Sequence, residues 1–316
     1  MCISDECFAP QITWFLYSFV FAIINQFHKI ILTMKNKNLL IFAVVAMVSV
    51  FLTSCSEDEG SNAGGIETED TNAVANEEEV QSIFEDLDEL AIDAITEAYD
   101  SEGGRLAGTA ECAIITFNLE EKVITVDYGV ECEGPRGRVR SGKIIISYTG
   151  RHAHPGSVIT TTFEDFVIDG ISIEGTRTVT NLNDEEQDNP SWRVTLDGGK
   201  ITWPDQSFAT REVVRTKTWV RTQSLLTDEF HISGIAEGTT RDGKTYRTEI
   251  VEAIVWKVNC AVGGIFIPAS GLKEVEISGR DMVSVDYGDG SCDRMVKLSR
   301  GDYSIDVNIN DVAAND

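Results

Sequence analysis

The chain is 316 residues long and carries 52 Asp and Glu residues against 26 Lys and Arg, a formal net charge of −26 at pH 7. Its length suffices for one large domain or two small ones. Such an acidic chain repels other anionic surfaces, which argues against nucleic acid as a partner but says little about the fold. The excess of acidic residues lies after residue 54, because residues 1–54 have a net charge of +1 and the remaining residues have a net charge of −27.

Two apolar stretches precede the acidic part of the chain. Residues 34–37 are short and basic, 39–52 are apolar, and small residues follow, which is the layout of an export signal. We therefore predict a signal peptide at 34–54 that starts at Met34. Polar residues interrupt the earlier apolar run, which falls short of the roughly 20 residues that span a bilayer. Residues 1–33 are interpreted as an extension upstream of the natural start, with a genuine membrane segment as the alternative.

The signal closes with Leu52-Thr53-Ser54-Cys55. This tetrapeptide resembles the lipobox of bacterial lipoproteins, in which the cysteine is acylated and the chain is cleaved before it. The resemblance implies a lipid on Cys55 that holds the protein at a membrane, because each buried CH₂ group contributes about 0.8 kcal/mol. The acidic run at 56–60 resembles the export tract of Bacteroidota surface lipoproteins, which implies an outer-membrane lipoprotein exposed at the cell surface. An ordinary solvated linker is the alternative for this run.

A tether and one helix are expected next. Residues 55–76 contain Gly, Asn, Ser, Thr and acids but almost no large apolar residue, which predicts a flexible tether. Apolar residues then recur at helical spacing from Val80 to Ala98, with acids on the other face. We predict one amphipathic helix over 77–102, ending before two glycines.

From Cys112 onward the apolar period changes to two. The alternation is clear over 144–148, 158–163 and 192–196, and the polar face of these segments is rich in Thr. Turn signals at Asp169-Gly170, Asp197-Gly198-Gly199 and Asp242-Gly243 separate the segments. These patterns predict a mainly β domain over 105–310, an antiparallel meander that forms a curled sheet, a sandwich or a barrel.

Two internal similarities run through this domain. Short patterns in the first half recur in the second, which predicts a duplicated β unit comprising 142–182 and 199–255. Chance similarity of Thr-rich strands is the alternative for this first similarity. In the second, residues 126–129, Val-Asp-Tyr-Gly, recur at 285–288. Similar hairpins are therefore expected to open and close the domain.

Four cysteines follow Cys55 in the exported part of the chain, namely Cys112, Cys132, Cys260 and Cys292. An even number of cysteines in an oxidising compartment predicts disulfides, and four cysteines allow three pairings. The similar hairpins place Cys132 and Cys292 at matching positions, which favours Cys112 with Cys132 and Cys260 with Cys292. A zinc site is the alternative, but the chain has no Cys-x-x-Cys motif among them.

A few residues are candidates for binding. Trp203 and Trp219 are selected because sugar-binding sheets present aromatic platforms, and core packing is the alternative for both. Asp286, Asp289 and Asp293 form a weak candidate metal loop, since Ca²⁺ takes several oxygen ligands on a flexible turn. An acidic hairpin tip is the alternative for these three residues.

Catalytic patterns are weak throughout the chain. His152 and His154 stand two apart, as a metal or catalytic pair would, but Pro155-Gly156 marks a turn there. The sequence has no nucleophile elbow, and we predict no catalytic residue and no cofactor.

The leading hypothesis is a non-enzymatic extracellular module that binds a glycan or an envelope protein. A structural or assembly component of the envelope and a polysaccharide hydrolase are the alternatives. Exposed aromatic residues would favour glycan binding, facing acids in a cleft would favour hydrolysis, and an exposed sheet edge would favour assembly by strand addition.

Overall fold

The computed structural model describes residues 66, 68–100, 112–134, 137–184, 189–265 and 267–308. Within them the chain is mainly β, with fourteen antiparallel strands in one sheet that does not close. The predicted fold class is thus confirmed, and the sheet is open rather than a barrel. The predicted extension, the signal peptide, Cys55 and most of the tether lie outside the described residues. No helix in the described part is long and apolar enough to cross a membrane.

The strands pair in space almost as they follow one another in sequence. Each pairs with the next along the chain, except that β2 and β3 both lie along β4. The elements are helix α1 (Thr68–Asp100), β1 (Ile114–Asn118), β2 (Val123–Asp127), β3 (Cys132–Glu133), β4 (Val139–Tyr148), β5 (Val158–Ile168), β6 (Ile171–Asn181), β7 (Ser191–Thr202), β8 (Phe208–Val220), a 3₁₀ turn (Leu225–Thr227), β9 (Glu229–Thr239), β10 (Thr245–Lys257), helix α2 (Val258–Val262), β11 (Ser270–Ile277), β12 (Val283–Asp289), β13 (Met295–Arg300) and β14 (Tyr303–Asn308).

Alternation along the strands places one face of the sheet in the core. Ile144, Ile146 and Tyr148 of β4 are buried, as the period of two predicts, and Ile146 is the register partner of the buried Thr161 on β5. Because register partners share a face, buried side chains form rows across neighbouring strands. Helix α1 packs its own apolar side chains on this face, namely Val80, Ile83, Phe84, Leu87, Ala91, Ala94 and Ile95.

Helix α1 begins nine residues before the predicted boundary at 77. Residues 68–76 are therefore helical, and the tether prediction is wrong for them. Val74, within the additional turns, and Ile66, just ahead of them, pack against a second core cluster formed by strands β9 to β13. Tertiary packing thus orders a segment whose own composition favours a tether.

Several strands bulge where glycine lets two backbones approach closely. The turn predicted at 197–199 is such a bulge inside β7, where the register with β8 slips. A Cβ atom on Gly199 would lie 2.5 Å from the carbonyl oxygen of Arg211. On β4, Gly142 has a φ of +75°, and its Cβ would lie 2.1 Å from the carbonyl oxygen of Asp165. Bulges bend strands and increase their local twist.

The predicted duplication of 142–182 and 199–255 does not correspond to a repeated structural unit. Residues 166–176 cross the turn between β5 and β6, whereas the matching residues 230–239 run along the single strand β9. The shared composition of Thr-rich strands accounts for this similarity. The predicted turns at Asp169-Gly170 and Asp242-Gly243 do join consecutive strands.

The second similarity, between residues 126–129 and 285–288, corresponds to a shared local structure. Asp127 accepts a hydrogen bond from the Gly129 amide at 2.9 Å, and Asp286 accepts one from the Gly288 amide at 2.8 Å. Both glycines have a positive φ, +64° and +97°. The same corner is therefore built near each end of the sheet.

Two disulfides brace these ends, and they are the predicted pairs. Cys112 is joined to Cys132 with their Cα atoms 5.6 Å apart, and Cys260 to Cys292 with their Cα atoms 5.1 Å apart. The first ties the chain two residues before the start of β1 to β3, and the second ties α2 to the turn after β12.

Candidate functional site

The tryptophans predicted to bind a ligand are buried, with 7% of Trp203 and 8% of Trp219 exposed. The guanidinium group of Arg241 lies over the Trp203 ring at 4.6 Å, and that of Arg221 lies over the Trp219 ring at 4.5 Å. The Trp219 indole N–H donates to the carboxylate of Asp228 at 2.8 Å. Neither ring offers the open platform on which a sugar stacks, so the packing alternative describes both side chains.

The three aspartates of the predicted metal loop are used within their own hairpin tip. Asp286, Asp289 and Asp293 each accept a hydrogen bond from the backbone amide two residues further on, at 2.8, 3.1 and 3.0 Å. Such turns use carboxylate oxygens that a cation would need. Among the described residues, no group of three or more His, Cys, Asp or Glu is arranged to hold a metal ion. The acidic-tip alternative describes this segment.

The two neighbouring histidines do not form a pair. The ring of His152 stacks on Trp192 with their centroids 4.8 Å apart, and burial, with a smaller contribution from Lys217, lowers the pKa of His152 to about 3. This imidazole is therefore neutral at physiological pH. The next histidine, His154, is exposed in the turn before β5.

The most polar buried region lies between α1 and strands β8 and β11. The Glu77 carboxylate accepts hydrogen bonds from Arg211 at 2.6 Å, from Arg215 at 3.3 Å and from Lys273 at 2.6 Å. Burial raises the pKa of Glu77, but the three cations lower it by more, so the pKa lies well below its ordinary value. Buried ions are stable only with such partners. We call these four residues the Glu77 cluster.

The Glu77 cluster fastens the helix to the sheet. Asp88, further along α1, holds Arg177 of β6 in the same way, at 2.8 Å. A cavity beside Glu77, lined by Val80 and Tyr246 among others, has room for about one water molecule. The region is a polar part of the core and has no room for a substrate.

Strand β1 forms one of the two edges of the sheet, and β14 forms the other. Within the described residues, β1 pairs with β2 alone. Its inward side chains, Ile115 and Phe117, pack on the core, whereas Ile114 on the other face is 69% exposed. The strand contains no charged residue, no proline and no bulge. Natural edge strands usually carry one of these features, which prevent pairing with other chains. We call Ile114–Asn118 the β1 edge.

Exposed apolar side chains continue beyond the strand. Val130, in the loop between β2 and β3, is 94% exposed, and Leu119, just after β1, is 61% exposed.

An open groove begins one strand in from the β1 edge. Asp127, the register partner of Ile114, lines it together with Lys143, Glu164 and Asp165. The Lys143 amine lies 3.7 Å from the Asp127 carboxylate and 4.0 Å from that of Glu164. Three carboxylates and one ammonium group line the groove, so the groove is acidic. We call these four residues the edge groove.

No family model matches the chain, and no curated protein or solved structure is significantly similar to it.

The sequence-based predictions missed the β1 edge and the Glu77 cluster. The order of strands in the sheet decides which strand is left unpaired, and that order is not written in any local pattern. One signal was available: Ala113 to Asn118 is an uncharged, β-forming run in a strongly acidic chain. A strand formed by such a run either pairs with a neighbour on both sides or lies at an edge of the sheet without the charges that usually protect edges.

Proposed function

We propose that this protein is a lipid-anchored, non-enzymatic binding module at the cell surface, and that its partner is another envelope protein. The β1 edge is the observation that carries the proposal. Among the residues that the structure describes, it is an ordered strand paired on one side only, and it has none of the charges, prolines or bulges that keep natural edges from associating. Among the predicted functions, an exposed sheet edge favours assembly by strand addition.

The anchor is supported by the sequence. The export signal predicted at 34–54 and the resemblance of residues 52–55 to a lipobox support acyl chains on Cys55 at the start of the mature protein. A partner in the same envelope would then be met at a high local concentration, since both are held near one surface.

Glycan binding has weaker support, because arginines cover the two tryptophans that could form a platform. Hydrolysis has weaker support as well. Glu164 and Glu174 are exposed, and each lies beside its own lysine, Lys143 at 4.0 Å and Lys200 at 3.1 Å. Two acids that act on one glycosidic bond must instead face each other across it.

Site-specific photocrosslinking in intact cells tests the proposal. A photoreactive amino acid at Ile114 of the full-length protein should give one defined protein adduct, which disappears when Cys55→Ala removes the anchor. The matched control is Val214, an apolar residue of β8 that is 50% exposed on the outer face of the sheet. Equal adducts from both positions, or none from Ile114, would refute an edge-directed partner.

A further inference from the structure

We infer that the partner contributes an extended, basic segment that pairs with β1 as an additional strand and reaches the edge groove. The inference rests on the proposed function and specifies the chemistry of the partner at the same site. Three properties of the β1 edge carry it, namely its backbone, the alternation of its side chains and the charge beside it.

The backbone of β1 is a prepared template for another strand. Every second N–H and C=O group of an edge strand points away from its single neighbour and can bind an added strand about 4.8 Å away. Ile115 and Phe117 hold the strand on the core, and the Cys112–Cys132 disulfide fixes the chain just before it. A partner therefore does not have to order β1 when it binds, which lowers the entropic cost of association.

The side chains define what the added strand should carry. Positions beside Ile115 and Phe117 would extend the core face of the sheet and should be apolar. Positions beside Ile114 and Thr116 would cover an outer face that is apolar or neutral. Branched apolar residues and threonines suit both faces of such a strand.

The charge around the edge selects a basic segment. The edge groove holds Asp127, Glu164 and Asp165 against Lys143, and the turn that follows β1 adds two exposed acids, Glu120 and Glu121, against Lys122. An arginine or lysine next to Ile114 on the added strand would lie two strands, about 10 Å, from Asp127. The two side chains together span that separation. A second copy of the chain, with a formal charge of −26, is the less compatible occupant.

The opposite end of the sheet does not share these properties. Strand β14 carries Asp306, and its residues are largely exposed on both faces, so the core does not hold it as it holds β1. Ile305 is 42% exposed there, and it supplies a matched control position on the other edge.

Peptide binding to the full-length, detergent-solubilised protein tests the inference. The probe is a labelled synthetic peptide of alternating valine and threonine with two arginines at one end, compared with the same peptide bearing two glutamates. We expect the basic peptide to bind at least about tenfold more tightly than the acidic one, with an affinity that falls as salt is raised. Equal binding of both peptides would refute the inference that the partner segment is basic.

Three variants locate the contact. Ile114→Lys should weaken binding of the basic peptide by about tenfold or more, because an edge charge opposes strand addition, whereas Ile305→Lys should change it less than about twofold. Asp127→Asn combined with Glu164→Gln should weaken the binding of the basic peptide. The same double variant should leave the binding of a neutral valine-threonine peptide unchanged. Unchanged thermal unfolding of each variant shows that the fold is retained.

Each result has a distinct meaning. If the basic peptide binds Ile114→Lys as well as it binds the parent, pairing with β1 is refuted, and a crosslink at Ile114 would still support the proposed function. Sedimentation analysis adds a third outcome. A dimer that is lost in Ile114→Lys would show that a second copy occupies the edge, which would overturn the basic partner.

Discussion

The two ends of the sheet carry the same corner in different surroundings. Tyr128 near the first end and Tyr287 near the second are both buried, with 3% and 4% exposed. Each ring has a cation nearby, Arg140 with its guanidinium carbon 5.9 Å from the ring centroid and Lys273 with its amine at 5.7 Å. Each corner also lies next to a disulfide.

The difference lies in what covers them. At the second corner, Lys273 is bonded to Glu77, and helix α1 seals the inner face. At the first corner, Asp127 faces the open edge groove, and the neighbouring strand β1 ends the sheet. The same local sequence thus builds the same corner, with a buried tyrosine at each, while long-range packing decides which charged groups and strands lie beside it. Four experiments can test this comparison.

Loss of Glu77 should have the largest effect, at the sealed end. Glu77→Gln leaves Arg211, Arg215 and Lys273 without their shared carboxylate, and breaking a buried ion pair in this way costs about 3–5 kcal/mol. Urea unfolding of the variant measures this loss. Asp86→Asn on the same helix is the control, because its pair with Arg138 is largely exposed and is worth less than about 1 kcal/mol. Equal losses would show that the Glu77 cluster does not seal the second corner.

Loss of a disulfide should have the next largest effect on stability, and the two disulfides allow the two ends of the sheet to be tested separately. Replacing either pair by serine should lower the free energy of unfolding by about 3–4 kcal/mol, slightly more for the 32-residue separation of Cys260 and Cys292 than for the 20-residue separation of Cys112 and Cys132. Hydrogen exchange should rise in β1 only when Cys112 and Cys132 are replaced. A rise in β1 from the other pair would contradict independent bracing of the ends.

Glycine substitutions probe the open end at a smaller scale. Gly142→Ala adds a Cβ that would collide with the Asp165 backbone, whereas Gly129→Ala meets no atom within 4 Å, although both residues have a positive φ. We expect about 1 kcal/mol of destabilisation from the φ angle in each, and at least about 2 kcal/mol more from the collision at Gly142. Thermal unfolding of the two variants gives the difference. Equal losses of stability in the two variants would mean that the bulge at Gly142 accommodates the added Cβ without a loss of free energy.

The smallest effect should be a pH dependence within α1. Burial raises the pKa of Asp93 to about 6, so its ionised form is disfavoured in the folded protein. Its contribution to stability is full below its unfolded pKa of about 4 and is lost as the pH rises to about 6. Asp93→Asn should therefore stabilise the protein by about 1–2 kcal/mol at pH 7.5. The difference between variant and parent should shrink toward pH 4. Unfolding at several pH values measures it, and a constant difference would exclude this titration.

The β class and the disulfides could be predicted because their signals are local. Alternation over 144–148 fixes which side chains of β4 are buried, and matching hairpins indicate which cysteines pair. The turn predicted at 197–199 is a bulge because both structures need the same positive φ from glycine. The start of α1 was predicted too late because contacts of Val74 with a distant cluster, and not its neighbours in sequence, order those turns.

The candidate site could not be predicted because it is a property of the assembled sheet. Nothing within the sequence of Ile114–Asn118 indicates that this strand has a single neighbour among the described strands. The same limit applies to Glu77, which looks like one more acid on the polar side of a helix. Only the fold brings three cations to it from β8 and β11.

The pairing of nearly every strand with its successor has a consequence for how the chain folds when it emerges with its N-terminus first. Each hairpin can close as soon as its second strand has emerged, so the sheet can grow by short-range steps from its first strand. Helix α1 emerges before all of them, yet Lys273, one of its main anchors, comes 196 residues after Glu77. The N-terminal turns of the helix emerge first and reach their final position last. Until β11 is in place, the apolar face that these turns cover stays open, and in this interval the chain is exposed to aggregation or to capture by a chaperone.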